Sequence, residues 1–309
     1  MKSYILKRLA LTLCILFSVS SFVFFLIHLV PGDPVDLILG EQALSADRVA
    51  FRQALHLDLP LGSQFLHFFK GLFSGNLGQS LFEHRSVTQL LWERYPATLE
   101  LAIIAMVFAI FISLIFGIMA AVRQGSLWDR GSMLGSLAGI SIPHFCLGPL
   151  LVILFSIKLD LLPISGRKDF LGFVLPAITL GSGMAALLTR MIRSSLLEVL
   201  KEDFVRTARA KGVSEWRVIL KHALRVAFNP VISVLGLQFG AVLAGAIVTE
   251  KIFAWPGVGS LLVQSIERRD YPVVQGCILT IAITYSLVNL ATDLIYQKLD
   301  PRIHLGEQR

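Results

Sequence analysis

Apolar residues gather into six long runs, near 9–30, 99–122, 133–157, 171–191, 231–250 and 273–297, with polar segments between them. Runs of about 18 or more such residues predict membrane-spanning helices, because lipid offers no partner to an unpaired backbone group and a helix satisfies its own. The fourth and fifth runs are diluted by Gly181, Ser182 and Gly183 and by Gly236, Gln238, Gly240 and Gly245. Gly236 and Gly240, like Gly131, Gly135 and Gly139, have the four-residue spacing that lets helices in lipid pack closely. The first run follows Lys7 and Arg8 as a signal peptide would. It is longer than an ordinary signal core and ends in HLVPGDP without a small-residue cleavage pattern, which predicts an anchor that stays. The expected fold class is an all-α integral membrane protein with six transmembrane helices.

The segment between the first two runs, 31–98, carries short amphipathic pieces. Leu61, Phe65, Phe68 and Phe69 recur at helical spacing after Pro60, predicting a short helix on the membrane face or on a neighbouring subunit. Ser74-Gly75-Asn76 marks a turn, and a second short helix is predicted over 86–94, ahead of Pro96.

Between the fourth and fifth runs the pattern turns basic yet stays helical. Leu196, Leu197, Val199 and Leu200 favour a helix over 195–209, Gly212 breaks it, and Ser214 is placed to cap the next helix. Arg206, Arg209, Lys211, Arg217, Lys221 and Arg225 keep this segment out of lipid. Ala208, Ala210 and Gly212 form a narrow ridge and Val218, Leu220 and Leu224 form knobs, a pattern suited to docking in a protein groove. A basic loop that sets topology or touches anionic lipid is the alternative.

Composition supports the membrane reading: 55% of residues are hydrophobic and 16% charged, against about 25% charged in soluble domains. A net charge of +7 could suit nucleic acid, but its distribution points to orientation. With the N-terminus in the cytoplasm, six spans leave on that side Lys2, Lys7, Arg8, Arg123, Arg130, the cluster over 190–225, Lys298, Arg302 and Arg309. The net acidic loop 31–98 then lies outside, and both termini lie in the cytoplasm. Lipid is the expected surrounding, with no nucleic-acid partner.

Polar groups inside the runs invite functional readings. Asn289, Thr292, Asp293 and Tyr296 share one face of the last run, and Glu100 and Glu250 sit near run ends. Polar contact with a neighbouring helix is the expectation for Asn289 and Asp293, with pathway lining the alternative. Ser141, Pro143 and His144 interrupt the third run, where Pro143 should bend the helix and form part of a gate or cavity wall. His28 and His144 stand apart from any carboxylate or thiolate cluster, so no metal site is assigned. Cys14, Cys146 and Cys277 fall in or near apolar runs as buried thiols, without disulfide or metal-ligand spacing. No G-x-x-x-x-G-K-[ST] loop is present to hold ATP, and no G-x-S-x-G or H-E-x-x-H motif suggests an intramembrane enzyme. A secondary transporter would show two similar halves, which this chain lacks.

RTARAKG over 206–212, followed by RVILKHALRVAFNP, resembles the cytoplasmic coupling motif of ABC importer permeases of the dipeptide, oligopeptide and nickel subfamily. Further motifs carry the resemblance along the chain: VPGDP at 30–34, LDLPL at 57–61, GNLGQS at 75–80, PATLEL at 96–101, LPAITLG at 175–181, EKIFAWPGVG at 250–259, RDYPVVQG at 269–276 and LDPRI at 299–303. In the broader importer family the coupling motif begins Glu-Ala-Ala. Aligned on Gly212, this chain has Arg206, Thr207 and Ala208 there, and Arg225 where Pro is common, as in the peptide branch.

The resemblance implies an anchor over 1–30, a periplasmic loop over 31–98 and a core permease domain over 99–309 with its coupling loop at 194–229. Contacts with the ATPase would come from Arg206, Thr207, Ala208, Arg209, Ala210, Lys211, Gly212, Leu220 and Leu224. The gate or pathway would use Ser141, Pro143, Asn289 and Asp293. It further implies a second, similar permease, two ATPase subunits that hold ATP and magnesium, and a periplasmic binding protein, with no cofactor or catalysis on this chain. A bacterial inner membrane is the expected location. Short peptides are the expected solute, with nickel or a metal chelate as the alternative.

Overall fold

A computed structural model describes residues 2–29, 35, 49, 52, 58–167 and 169–299. VPGDP at 30–34 and all of LDPRI but Leu299 lie outside them, as do the side chains of His28, Asp293 and Tyr296. Regular structure among the described residues is helical: α1 Lys2–Leu29, α2 Leu61–Phe73, α3 Val87–Val122, α4 Leu127–Ser141 and α5 His144–Leu151. A π-helical stretch, Val152–Lys158, continues α5, and α6 Leu171–Val199 and α7 Asp203–Ala210 follow. Three consecutive pieces, Glu215–Arg217, π-helical Val218–Ala223 and Leu224–Ala227, are together α8. The chain then forms α9 Asn229–Ile252, α10 Val258–Arg268 and α11 Tyr271–Leu299.

Among the described residues five helices are long and apolar enough to cross a membrane, and there is a sixth candidate span if α4 and α5 count as one. The third run is thus not one straight helix, since α4 and α5 meet at 107°. Ile142 (φ −87°, ψ 115°) and Pro143 (φ −63°, ψ 144°) are both extended at the bend. Proline supplies the reason, because its ring pushes the preceding residue out of the helical region and it has no N–H to donate. Pro96 behaves differently: the helix begun at Val87 does not stop there but runs through it to Val122. The missing backbone bond is offset by packing, as Ala97, Leu101, Ala102, Ala105 and Ala109 are all fully buried.

Two compact units divide the chain, residues 1–96 with 257–286 and residues 97–256 with 287–309. In the first unit α2 turns its aromatic face onto α1 of the same chain. Phe69 lies 5.1 Å from Phe17, and Phe65 lies 5.3 Å from Phe24 and 5.7 Å from Phe25, ring centre to ring centre. The predicted turn closes α2: Gly75 has φ +73°, and the N–H groups of Asn76 and Gly75 reach the carbonyls of Gly71 (2.9 Å) and Leu72 (3.1 Å). The same unit joins GNLGQS to RDYPVVQG. The buried Asp270 carboxylate accepts from Ser80 Oγ at 2.5 Å and from Leu81 N at 3.2 Å. Tyr95 and Thr284 hydroxyls meet at 2.9 Å.

In the second unit α6 is the central helix, with α4, α5 and α9 packed on it. Leu175, Leu180, Leu188, Ile192 and Leu196 of α6 are almost wholly buried. The predicted close approach at Gly236 is present, where an added Cβ would lie 2.1 Å from Thr292 Cγ2. Of Gly131, Gly135 and Gly139 only Gly139 meets a neighbour, at Ala186, and the other two have open space beside them. EKIFAWPGVG closes α9: Trp255 is fully buried, donates from Nε1 to the Ala97 carbonyl (2.9 Å) and stands edge-on to Phe173 at 4.7 Å. Glu250, fully buried, accepts from Thr98 Oγ1 at 2.6 Å. Cys277 is buried as expected, whereas Cys14 and Cys146 are exposed on their helices.

Asp270→Ala is expected to lower stability by about 1–3 kcal/mol, because it leaves the buried Ser80 O–H and the Leu81 N–H without their acceptor. Thermal unfolding of the detergent-solubilised protein measures this, and an unchanged midpoint would contradict it.

Candidate coupling segment and membrane cleft

The basic segment grows directly out of α6. The helix predicted over 195–209 breaks at 200–202, in a turn where Lys201 N reaches Glu198 O and Glu202 N reaches Val199 O, both at 3.1 Å. Glu202 is extended (φ −68°, ψ 150°), so the chain leaves one helix and starts another, α7, with Asp203 in its first turn. An acidic residue there complements the helix dipole.

α7 ends in a Schellman motif. Gly212 N bonds Arg209 O at 2.9 Å and Val213 N bonds Ala208 O at 3.3 Å, with Gly212 at φ +74°. That left-handed conformation costs most residues about 1–2 kcal/mol and glycine almost nothing. Ser214 begins the next helix with its carbonyl, bonded by Arg217 N at 2.9 Å and Val218 N at 3.0 Å, and its side chain makes no cap. Arg209 spans the turn and grips Glu215 with both arms, Nε at 3.1 Å and Nη2 at 2.6 Å.

Burial sorts the predicted docking residues. Ala208 and Val218 face inward, because α7 buries its apolar side against the π-helical part of α8. Arg206, Thr207, Arg209, Ala210, Lys211, Gly212 and Leu220 are exposed, and Leu224 is half-buried. The ridge and knobs read from the sequence are therefore partly internal. Phe204, which the spacing had not singled out, joins Trp216 and Leu220 as an exposed apolar group.

A buried ion pair anchors the base of this segment. Asp129, 4% exposed, accepts from Arg193 Nε at 2.5 Å, from Arg193 Nη2 at 2.8 Å and from Gly125 N at 2.9 Å. It joins the first turn of α4 to the last turns of α6. The sequence reading missed Asp129, although Ser126 three residues earlier caps α4 through the Asp129 N–H, a recognisable start signal.

At the other end of the same helices, His144 follows the Pro143 bend and its Nδ1 lies 2.8 Å from the Thr179 carbonyl of α6. A cleft of about 280 Å³ opens beside it, lined by Ile142, Pro143, Gly183, Met184, Gln238 and Val242 among others. Of the predicted pathway residues, Pro143 lines this cleft. Ser141 is exposed and bonds back to the Leu137 carbonyl at 2.8 Å, and Asn289 is half-buried on α11. Asp293 lies outside the described side chains. Among the described residues no group of three or more His, Cys, Asp or Glu could hold a metal ion.

This architecture matches the membrane subunits of ABC transporters. A solved structure described as inward facing conformations of the MetNI methionine ABC transporter aligns at TM-score 0.56 and 18% identity, covering 69% of this chain and 97% of that one. An amino acid ABC transporter aligns at TM-score 0.52 and 16% identity, covering 70% of this chain and 95% of that one. A family profile described as binding-protein-dependent transport system inner membrane component matches residues 113–305, and the N-terminal profile of such membrane components matches residues 1–102. The chain belongs to this family of binding-protein-dependent transport permeases. The glutathione transport system permease protein GsiC of Escherichia coli K12 is 45% identical to it, over 98% of this chain and 99% of that one. The di/tripeptide transport system permease protein DppB of Pseudomonas aeruginosa is also 45% identical, with the same coverage. The chain is thus a multi-pass permease subunit of an ATP-driven importer and not an enzyme: ATP is hydrolysed by partner ATPases, and a binding protein serves the transporter.

Two tests follow. Asp129→Ala leaves Arg193 without its partner and is expected to cost about 3–5 kcal/mol, whereas Asp129→Leu with Arg193→Leu recovers most of it. Thermal melting of the three proteins decides the point, and equal loss in single and double variants would contradict it. In the second test, the hydrogen bond from Arg209 holds the Glu215 carboxyl below its usual range. A depressed carboxyl stabilises the turn above its unfolded value and releases it as pH falls through the folded one. Glu215→Gln is expected to raise amide exchange at Val213 about twofold at neutral pH, a small effect because the pair is exposed. Unaltered exchange would remove the brace.

Proposed function

We propose that this permease imports short peptides across a bacterial inner membrane. Similarity over 98% of the chain to permeases named for glutathione and for di- and tripeptides carries the reading. Both termini lie in the cytoplasm and the loop 31–98 in the periplasm, where a binding protein delivers the solute. A second, similar permease completes the path, and two ATPase subunits hold ATP and magnesium.

In this reading the segment 194–229 is the coupling element. Arg206, Thr207, Arg209, Ala210, Lys211, Gly212 and Leu220 face the ATPase, and Ala208 and Leu224 hold the segment in shape. α7 follows α6 after a three-residue turn, and α9 begins at Asn229-Pro230. Closure of the ATPases on ATP draws the two coupling segments together, and the attached helices tilt from inward-open to outward-open. Pro143 forms part of the pathway wall, with Ser141, Asn289 and Asp293 as the remaining pathway residues. Affinity resides in the binding protein, so the path itself holds solute weakly.

Uptake of labelled dialanine and of radioactive nickel, measured side by side in cells lacking the chain and in cells with it restored, tests the substrate. Selective recovery of dialanine uptake is expected, and selective recovery of nickel uptake would move the substrate to metal. Gly212→Val is expected to leave the chain in the membrane while uptake falls at least about tenfold, because a β-branched residue resists the left-handed turn. Normal uptake by that variant would overturn the coupling assignment.

A further inference from the structure

The His144 cleft is built unlike a packing defect. Its wall comes from α4, α5, α6 and α9, all within the second unit. Lined mainly by apolar groups, it has two polar side chains, His144 and Gln238, and no Asp, Glu, Lys or Arg among the described residues of its lining. A largely apolar concavity with a few placed polar groups is the usual form of a small-ligand site.

Hydrogen bonding fixes the polarity of the histidine. A carbonyl can only accept, so the 2.8 Å contact with Thr179 O requires the proton on Nδ1. In the neutral ring Nε2 is left with a lone pair and no proton. Gly183 permits this pose, since a Cβ there would press to 3.2 Å from His144 Cε1. Nε2 has no protein hydrogen-bond partner among the described residues and is not one of the sealed, unpaired atoms. The Gln238 amide, half-buried on α9, likewise has no protein partner among the described residues. With the ring neutral, one pure acceptor and one amide, which can donate and accept, stand in the same cleft.

We propose that this cleft is a transient station for a peptide in transit, with His144 Nε2 accepting from a peptide N–H or terminal ammonium and the Gln238 amide pairing with the peptide bond. This rests on the peptide reading above. Without an ionised wall residue the station recognises the backbone, which every short peptide shares, and leaves side-chain charge unread. A single imidazole nitrogen is too few ligands for a metal, so the same cleft does not suit bare nickel.

The complete transporter, with its ATPases and binding protein, is reconstituted in proteoliposomes. His144→Asn keeps an N–H donor for the Thr179 carbonyl and removes the acceptor at Nε2, while Gln238→Leu removes the amide. Each variant is expected to assemble and hydrolyse ATP as wild type does, while the dialanine uptake rate falls about five- to tenfold, the scale of one lost hydrogen bond. Wild-type uptake by His144→Asn overturns the station. If His144→Asn fails to assemble, Gln238→Leu carries the test, and wild-type uptake there overturns it equally. A wild-type complex that moves nickel and not dialanine refutes the peptide reading itself. Uptake loss with a parallel loss of ATP hydrolysis assigns His144 a structural role and also overturns the station.

Discussion

A bilayer interior has no water to complete a backbone hydrogen bond, and the rest of this structure depends on that constraint. Each apolar run is therefore helical wherever it is described, apart from the extended pair Ile142–Pro143, and the helix leading into the second run passes even through Pro96, where burial of Ala97 and Leu101 outweighs the bond that proline removes. Irregular backbone at membrane depth is tolerated where it lines a cavity. The extended pair Ile142–Pro143 obeys that rule, since both residues line the cleft beside His144.

Helix α6 connects the two ends of the candidate machinery. Near one end Arg193 grips Asp129, and nearer the other the Thr179 carbonyl meets His144. Charges brought out of water interact strongly only when their geometry is good, and the two-armed pairing of Arg193 meets that condition. α4 is thus fastened to α6 at its first turn, packed on it at Gly139 against Ala186, and followed by a second link just past the bend. A push delivered at α7 crosses the three-residue turn at 200–202 and then runs along one helix, α6, to the cleft wall. In the proposed function that path is how nucleotide-driven motion reaches the solute.

Much of this was readable in advance wherever the cause is local. The left-handed turn at Gly212, the bend at Pro143, the turn at Gly75 and the helix around Phe65 each follow from one residue's backbone chemistry or from spacing along one helix. The basic segment was legible for the same reason, as a helix, a glycine and a second helix. Its inner and outer faces were not, because burial of Ala208 and Val218 depends on how α7 lies against α8. The break at 200–202 and the docking of α2 on α1 also escaped, since neither is marked by a strong local breaker or by a charge pattern.

The sequence by itself determined which segments are apolar enough to cross a membrane, where two turns must be glycine and where the third apolar run must bend, because these follow from hydropathy and from φ/ψ sterics of single residues. Only the tertiary structure decided that Asp129 meets Arg193 across 64 positions, that Asp270 meets Ser80 across 190, and that His144 turns one nitrogen to a carbonyl and leaves the other free of protein partners among the described residues. Such pairings depend on which helix faces are brought together by packing, and a one-dimensional pattern carries the faces but not their meeting.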